Sequence, residues 1–144
     1  MSDIDERLAA LILSRAEEHG IGRICDYGCG DGALLSCIAE RKPELELTGI
    51  DYIQRFNPDI QERMKASIVR FIDRDSAECS ALAGSEAFGM VFSTYALHHF
   101  QYPVRELNHI TGMVKPGGFI EIFDHCVDLG SRRGVVKALS SLLW

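Results

Sequence analysis

A chain of 144 residues is long enough for one domain around one core. Apolar residues make up 47% and charged residues 25%, the balance of an ordinary soluble globular protein. Fifteen basic against 21 acidic residues leave a net charge of −6, a poor basis for non-specific nucleic-acid binding, which rests on neutralising phosphates. No apolar run approaches the roughly 20 residues of a membrane span. The charged start "MSDIDERLAAL" is not that of a signal peptide. Five cysteines without a secretory signal read as reduced thiols in a cytoplasmic protein, most of them in the core. Cys25, Cys29 and Cys37 with His98, His99, His109 and His125 include no Cys-x-x-Cys and no histidine pair at helical i, i+4 spacing, so no metal site is expected.

In chain order, Ser2 can cap a helix over 3–19, with Asp5 three positions on and Ile4, Leu8, Leu11, Ile12 and Ala16 at helical spacing. Gly20 closes it. "RICDY" is strand one, a glycine-rich turn follows, and a helix over 31–41 stops at "KP". "LELTGID" is strand two. Asn57 and Pro58 are the cap and first position of a short helix ending near Ala66. "SIVRFID" is strand three, and "RDSAECSALAGSEA" reads as a loop with at most a short helical turn. "FGMVFST" is strand four, Pro103 opens a helix to about Val114, "KPGG" is a turn and "FIEIFDHC" is strand five. An amphipathic helix is expected over 131–143, with Val135, Val136, Leu139, Leu142 and Leu143 on its apolar face. Strands alternating with helices predict a doubly wound, mainly parallel α/β sheet with right-handed crossovers, one domain over 1–144. Ligands of such sheets bind beyond the carboxyl ends of the strands. That places the residues of interest at 26–32, 51–53, 73–76, 93–99 and 124–126.

The turn "DYGCGDG" carries the argument. Gly28, Gly30 and Ala33 satisfy G-x-G-x-x-G/A, and Asp51 follows roughly 20 residues later, where an acid holds ribose hydroxyls. Both features suit nicotinamide dinucleotides and S-adenosylmethionine alike. Asp26 separates them. A pyrophosphate against this turn would meet a fixed carboxylate, with a repulsion of about 4 kcal/mol at about 4 Å and an effective dielectric of about 20. S-adenosylmethionine brings an ammonium and a sulfonium instead. Asp26 can take the ammonium, while the backbone N–H groups of the turn and helix start take the carboxylate or pack on the sugar.

These motifs resemble those of the class I, Rossmann-like S-adenosylmethionine-dependent methyltransferases. "DYGCGDG" is similar to their first motif and "LTGID" to their second, whose acid grips both ribose hydroxyls, here Asp51 with Tyr52 beside it. "VRFIDRDSAE" resembles the third, in which an acid and its neighbour meet the adenine edge, here Asp75 and Ser76. "FGMVFSTYALHHF" and "VKPGGFIEIFD" resemble the fourth motif, with Ser93 on its strand, and the turn after it. The match runs over about residues 22–124 and is nearest the small-molecule branch of ubiquinone/menaquinone-type enzymes. It implies S-adenosylmethionine as cofactor, S-adenosylhomocysteine as product, and binding through Asp26, Tyr27, Gly28, Gly30, Asp51, Tyr52, Asp75, Ser76 and Ser93. Gly89 stands where the family usually has an acid, and Gly112 where it has an arginine. The family sheet ends in an antiparallel hairpin. The resemblance reads that hairpin as missing here and the chain as cut short, with strand five as an open edge fit for a homodimer.

Methyl transfer is an in-line displacement that needs alignment and water exclusion, and a base only if the acceptor must lose a proton. His98 and His125 are the candidates, with Tyr95, His99 and Asp124 near them. Tyr27 and Tyr95 could lend aromatic faces to a sulfonium. By resemblance, the absence of N/D-P-P-Y after strand four, where "STYA" stands, argues against a nucleobase acceptor. A small-molecule acceptor, with O- or C-methylation, is the expectation. A non-catalytic cofactor-binding module and a nicotinamide-dependent oxidoreductase stay open as alternatives.

Overall fold

A computed structural model describes residues 3–126 and 135–140, with side chains through Asp124. The elements are α1 (Asp3–Glu18), β1 (Arg23–Tyr27), α2 (Ala33–Arg41), β2 (Glu46–Asp51), α3 (Pro58–Arg63), β3 (Val69–Asp73), α4 (Ala77–Ala81), β4 (Phe88–Thr94), α5 (Pro103–Met113), β5 (Val114–Cys126) and β6 (Val135–Ser140). They form one six-stranded sheet in the order β3-β2-β1-β4-β5-β6. The first five strands are parallel, and β6 runs antiparallel to β5.

Alternation along the strands sorts the core into two layers. Ile24, Met90 and Phe92 point to one face, under Ile12 and Leu13 of α1 and Leu35 and Ile38 of α2. Cys25, Tyr27 and Val91 point to the other, against Ile110 and Met113 of α5. Acids Asp3, Asp5 and Glu6 sit in the first turn of α1, where the helix dipole favours them. Gly20, at φ 61, ends that helix, and the Ile21 N–H returns to the Ala16 carbonyl at 2.8 Å. The expected Ser2 cap lies outside the described residues. Asn57 caps α3 as read, accepting from the N–H groups of Asp59 and Ile60.

Two expectations fail at the C-terminal edge. Residues 135–140 of the expected helix are a strand, and the rest of 131–143 lies outside the described residues. A run such as "VVKALS" is β-branched at its start and short, so its apolar spacing fits a strand as well as a helix. Its register on β5 runs from Glu121↔Ser140 to Cys126↔Val135. The outer edge of β5 is therefore taken by the chain itself. The open edge on which a homodimer was expected is absent, and an antiparallel strand stands where none was expected. The other difference is at "KPGG". Between Phe88↔Val114 and Met90↔Phe119 the β4–β5 register shifts, so the expected turn is an irregularity within β5.

The two glycines that depart from the family pattern have local reasons. A Cβ on Gly89 would stand 2.9 Å from the Ile21 side chain. One on Gly112 would stand 2.6 Å from the backbone nitrogen of Gly84, because the turn after α4 lies on α5 and Glu86 donates to the Gly112 carbonyl at 3.2 Å. Helix propensity favours alanine over glycine by about 1 kcal/mol. Gly112→Ala should nevertheless lower stability, by about 1–3 kcal/mol, because the obstacle is backbone. Urea unfolding checks this, and a more stable variant would contradict the close approach.

Candidate active site

The strand order reverses between β1 and β4, and the glycine turn sits at that point. The N–H groups of Gly28 and Cys29 both donate to the Ile50 carbonyl, at 2.7 and 3.1 Å, which ties the turn to the end of β2. Each glycine of the turn answers a separate demand. Gly28, at φ 85, passes so close to the segment after β4 that a Cβ would lie 2.4 Å from the Ala96 Cβ. Gly30, at φ 58, has open space where its side chain would be, and its N–H donates to Asp51 Oδ2 at 2.7 Å. Gly32, at φ 90, starts α2 against the Phe71 ring.

Over this turn lies a cleft of about 340 Å³, reached by Asp26, Asp51, Tyr52, Tyr95 and His99, with Asp5 of α1 at its margin. A larger groove, about 860 Å³, runs beside edge strand β3, away from the switch point. Asp26 is 1% exposed and its Oδ1 has no hydrogen-bond partner. Burial pushes its pKa well above the usual carboxylate range, and the negative charge of Asp51 pushes the same way. Asp51 is differently served. Its Oδ2 accepts from Gly30, its Oδ1 accepts from the Tyr52 N–H at 2.7 Å, and Arg55 Nε lies 3.8 Å away. Asp26 and Asp51 thus face the same cavity, and Asp26 Oδ1 lacks the donors that Asp51 has.

The structure brings Asp26, Gly28, Gly30, Asp51 and Tyr52 together on the cleft. It sends Tyr27 elsewhere. That ring is fully buried on the opposite face of the sheet, its hydroxyl donates to Glu106 Oε2 at 2.5 Å, and Arg74 lies over it at 5.6 Å. Tyr27 offers no face to a ligand in the cleft, which corrects the expectation placed on its side chain. Ser93 is buried beneath the turn, its Oγ 3.9 Å from where a Gly28 Cβ would be and without a partner. Asp75 is exposed, and Ser76 caps α4 through the Cys79 N–H at 3.1 Å. Neither forms a wall of the cleft. Asp73, at the end of β3, instead accepts from the Ile53 N–H at 3.3 Å and so steadies the turn after Asp51.

After β4, Tyr95 adopts φ 51 and donates its N–H to the Phe123 carbonyl at 2.6 Å. The chain then enters a 3₁₀ turn over Leu97–His99. His99 reaches the cleft wall. The His98 ring lies against His99, 3.9 Å between centroids, and its Nδ1 is 2.5 Å from Asp124 Oδ1. Asp124 Oδ2 also accepts from the His98 N–H at 3.1 Å. The His125 side chain lies outside the described residues. Among the described residues no group of three or more His, Cys, Asp or Glu side chains is placed to hold a metal ion.

Sequence reasoning missed Glu106, which joins Tyr27 to Arg74 under the site. Burial alone would raise its pKa, but hydrogen bonds from Tyr27 and Arg74 hold it below the ordinary value. No local pattern announces a pairing 79 residues apart. Arg55 was also missed, although its i, i+4 spacing from Asp51 is visible in the sequence.

Comparison with known proteins agrees with this geometry. A family model described as a methyltransferase domain matches residues 25–120. An uncharacterized methyltransferase of Mycobacterium tuberculosis is 31% identical over 101 residues, covering 69% of this chain and 48% of its own length. A trans-aconitate 2-methyltransferase of Rhodopseudomonas palustris is 25% identical over 100 residues, covering 69% of this chain and 37% of its own. In fold, the chain resembles the N-terminal domain of EvdMO1, solved with S-adenosylhomocysteine bound, at a TM-score of 0.65 and 18% identity, covering 87% of this chain and 51% of that one. The chain belongs to the methyltransferase domain family. It spans about half or less of the length of these relatives. None of the three is named as a ubiquinone/menaquinone-type enzyme, and the nicotinamide alternative falls with the family assignment.

A carboxyl whose pKa is raised on folding favours the folded state below its unfolded value, about 3.9. That contribution is lost as pH rises through the folded value. Asp26→Asn, without ligand, should therefore gain on the wild type as pH goes from about 4 to 8, by about 1–3 kcal/mol, the cost of a buried group left unsatisfied. Thermal melts across pH check the sign, and parallel curves for the two proteins would contradict it.

Proposed function

We propose that this domain binds S-adenosylmethionine in the cleft and transfers its methyl group to a small-molecule oxygen or carbon acceptor. The observation that carries the reading is the buried, partnerless Asp26 Oδ1 beside a glycine turn that leaves open space over Gly30. Asp26 would hold the ammonium, Asp51 and Tyr52 the ribose side, and the backbone of Gly28 and Gly30 the chain between them. We keep Asp75, Ser76 and Ser93 as adenine-side positions on the resemblance alone. Bound there, the cofactor supplies a methyl group on a sulfonium, with a neutral leaving group.

The residues around the cleft do the remaining work. Asp124 grips both the backbone and Nδ1 of His98, which fixes the ring, and in this scheme the imidazole takes a proton from an acceptor hydroxyl or activated carbon. Asp124 is a positioning residue in this scheme, and His98 is the base. His125 is retained as a second candidate on sequence grounds. The carboxylates Asp5, Asp26, Asp31 and Asp51 face the cleft with Arg55, a balance that disfavours a polyanionic acceptor such as nucleic acid. Residues 1–144 are taken as one cofactor-binding domain. The buried cysteines Cys25, Cys29, Cys37 and Cys79 fit a reducing, cytoplasmic setting.

Turnover is tested by S-adenosylhomocysteine release over a panel of phenols, hydroxy acids and activated carbon acids. With an accepted substrate, His98→Ala should lower kcat about 10²–10⁴-fold. Affinity for S-adenosylhomocysteine should stay unchanged, and Asp124→Asn should lower kcat less and move the pH profile. Equal loss of cofactor affinity in both variants would remove the base assignment.

A further inference from the structure

Three carboxylates are buried among the described residues. Glu106 has Arg74 at 2.5 Å, and Glu121 has Arg15 at 2.9 Å. Asp26 Oδ1 has neither cation nor donor, and the residue lines a cavity. The titratable groups that face it do not supply one. Asp51 stands on β2 with its own donors, and Asp5 comes from α1. Cys29 and Asp31 come from the turn, Tyr95 and His99 from the segment after β4. Arg55 reaches the cleft but lies against Asp51. Buried Cys25 precedes Asp26 on the chain. A lone carboxylate in such a place is less costly as the neutral acid.

Resting on the reading that S-adenosylmethionine occupies this cleft, we propose that ligand-free Asp26 carries a proton and releases it to solvent as the ligand's ammonium arrives, so that each binding event expels one proton. The O–H bond of the acid breaks, the proton goes to buffer, and an ammonium–carboxylate pair replaces it. The ammonium keeps all its own protons. Affinity for the ammonium-bearing ligand then rises with pH, up to tenfold per unit below the titration of free Asp26, and levels off above it. A ligand with the nucleoside and no amino-acid tail leaves the proton in place.

Calorimetry of S-adenosylhomocysteine binding, in buffers of different ionisation enthalpy, counts the protons. From about pH 5 to 8 the wild type should release up to one proton at the acid end, declining as pH rises. Adenosine should release none, and Asp26→Asn should bind S-adenosylhomocysteine more weakly with pH-independent affinity. Binding heats independent of buffer throughout would overturn the coupling and leave the cofactor reading standing. The same proton count with adenosine would move the proton to another group and overturn it too. No binding of either ligand, by heat or thermal shift, would remove the cofactor reading and the coupling with it.

Discussion

Folding this chain places a carboxylate, Asp26, at the mouth of its central strand with one oxygen sealed from water and from every donor. Such a group costs stability unless something outside the fold completes it. The surroundings keep it from being completed internally. Gly28 and Cys29 spend their N–H groups on Ile50, Gly30 spends its own on Asp51, and Arg55 sits beside Asp51. The backbone is thus held rigid around an unmet demand for positive charge. That is what a site for an ammonium-bearing ligand requires, and it is a poor seat for a diphosphate.

The rest of the architecture serves this arrangement. The Tyr27–Glu106–Arg74 network anchors the underside of the same strand end to α5 and to the loop after β3. Asp73 holds the turn that follows Asp51. Arg15 ties α1 to Glu121 of β5, and α1 brings Asp5 to the margin of the cleft. On the far side, the 3₁₀ turn after β4 presents His99 to the cleft and His98 to Asp124, so the ends of β4 and β5 meet beside the cleft.

Much of this was legible in the residues because it is local. Strand ends, the glycine turn and the Asn57-Pro58 cap follow from spacing and backbone preference. The five parallel strands follow from alternation with helices. What was not legible depends on distance or on ambiguous period. Residues 135–140 fit a strand and a helix equally until β5 offers an unpaired edge. Tyr27 was misplaced despite an available signal: adjacent strand residues face opposite sides, so if Asp26 turns to the ligand, Tyr27 turns to the core. The partner of Tyr27, Glu106, and the packing of Gly112 on Gly84 arise only when α5 docks.

The central claim is that the buried Asp26 carboxylate receives the amino group of the cofactor. A crystal structure of the domain with S-adenosylhomocysteine tests it most directly. The account expects the ligand nitrogen within hydrogen-bond distance of Asp26, about 2.7–3.2 Å, and the ribose hydroxyls on Asp51. A ligand whose amino group turns to solvent, with Asp26 still lacking a partner, would contradict it.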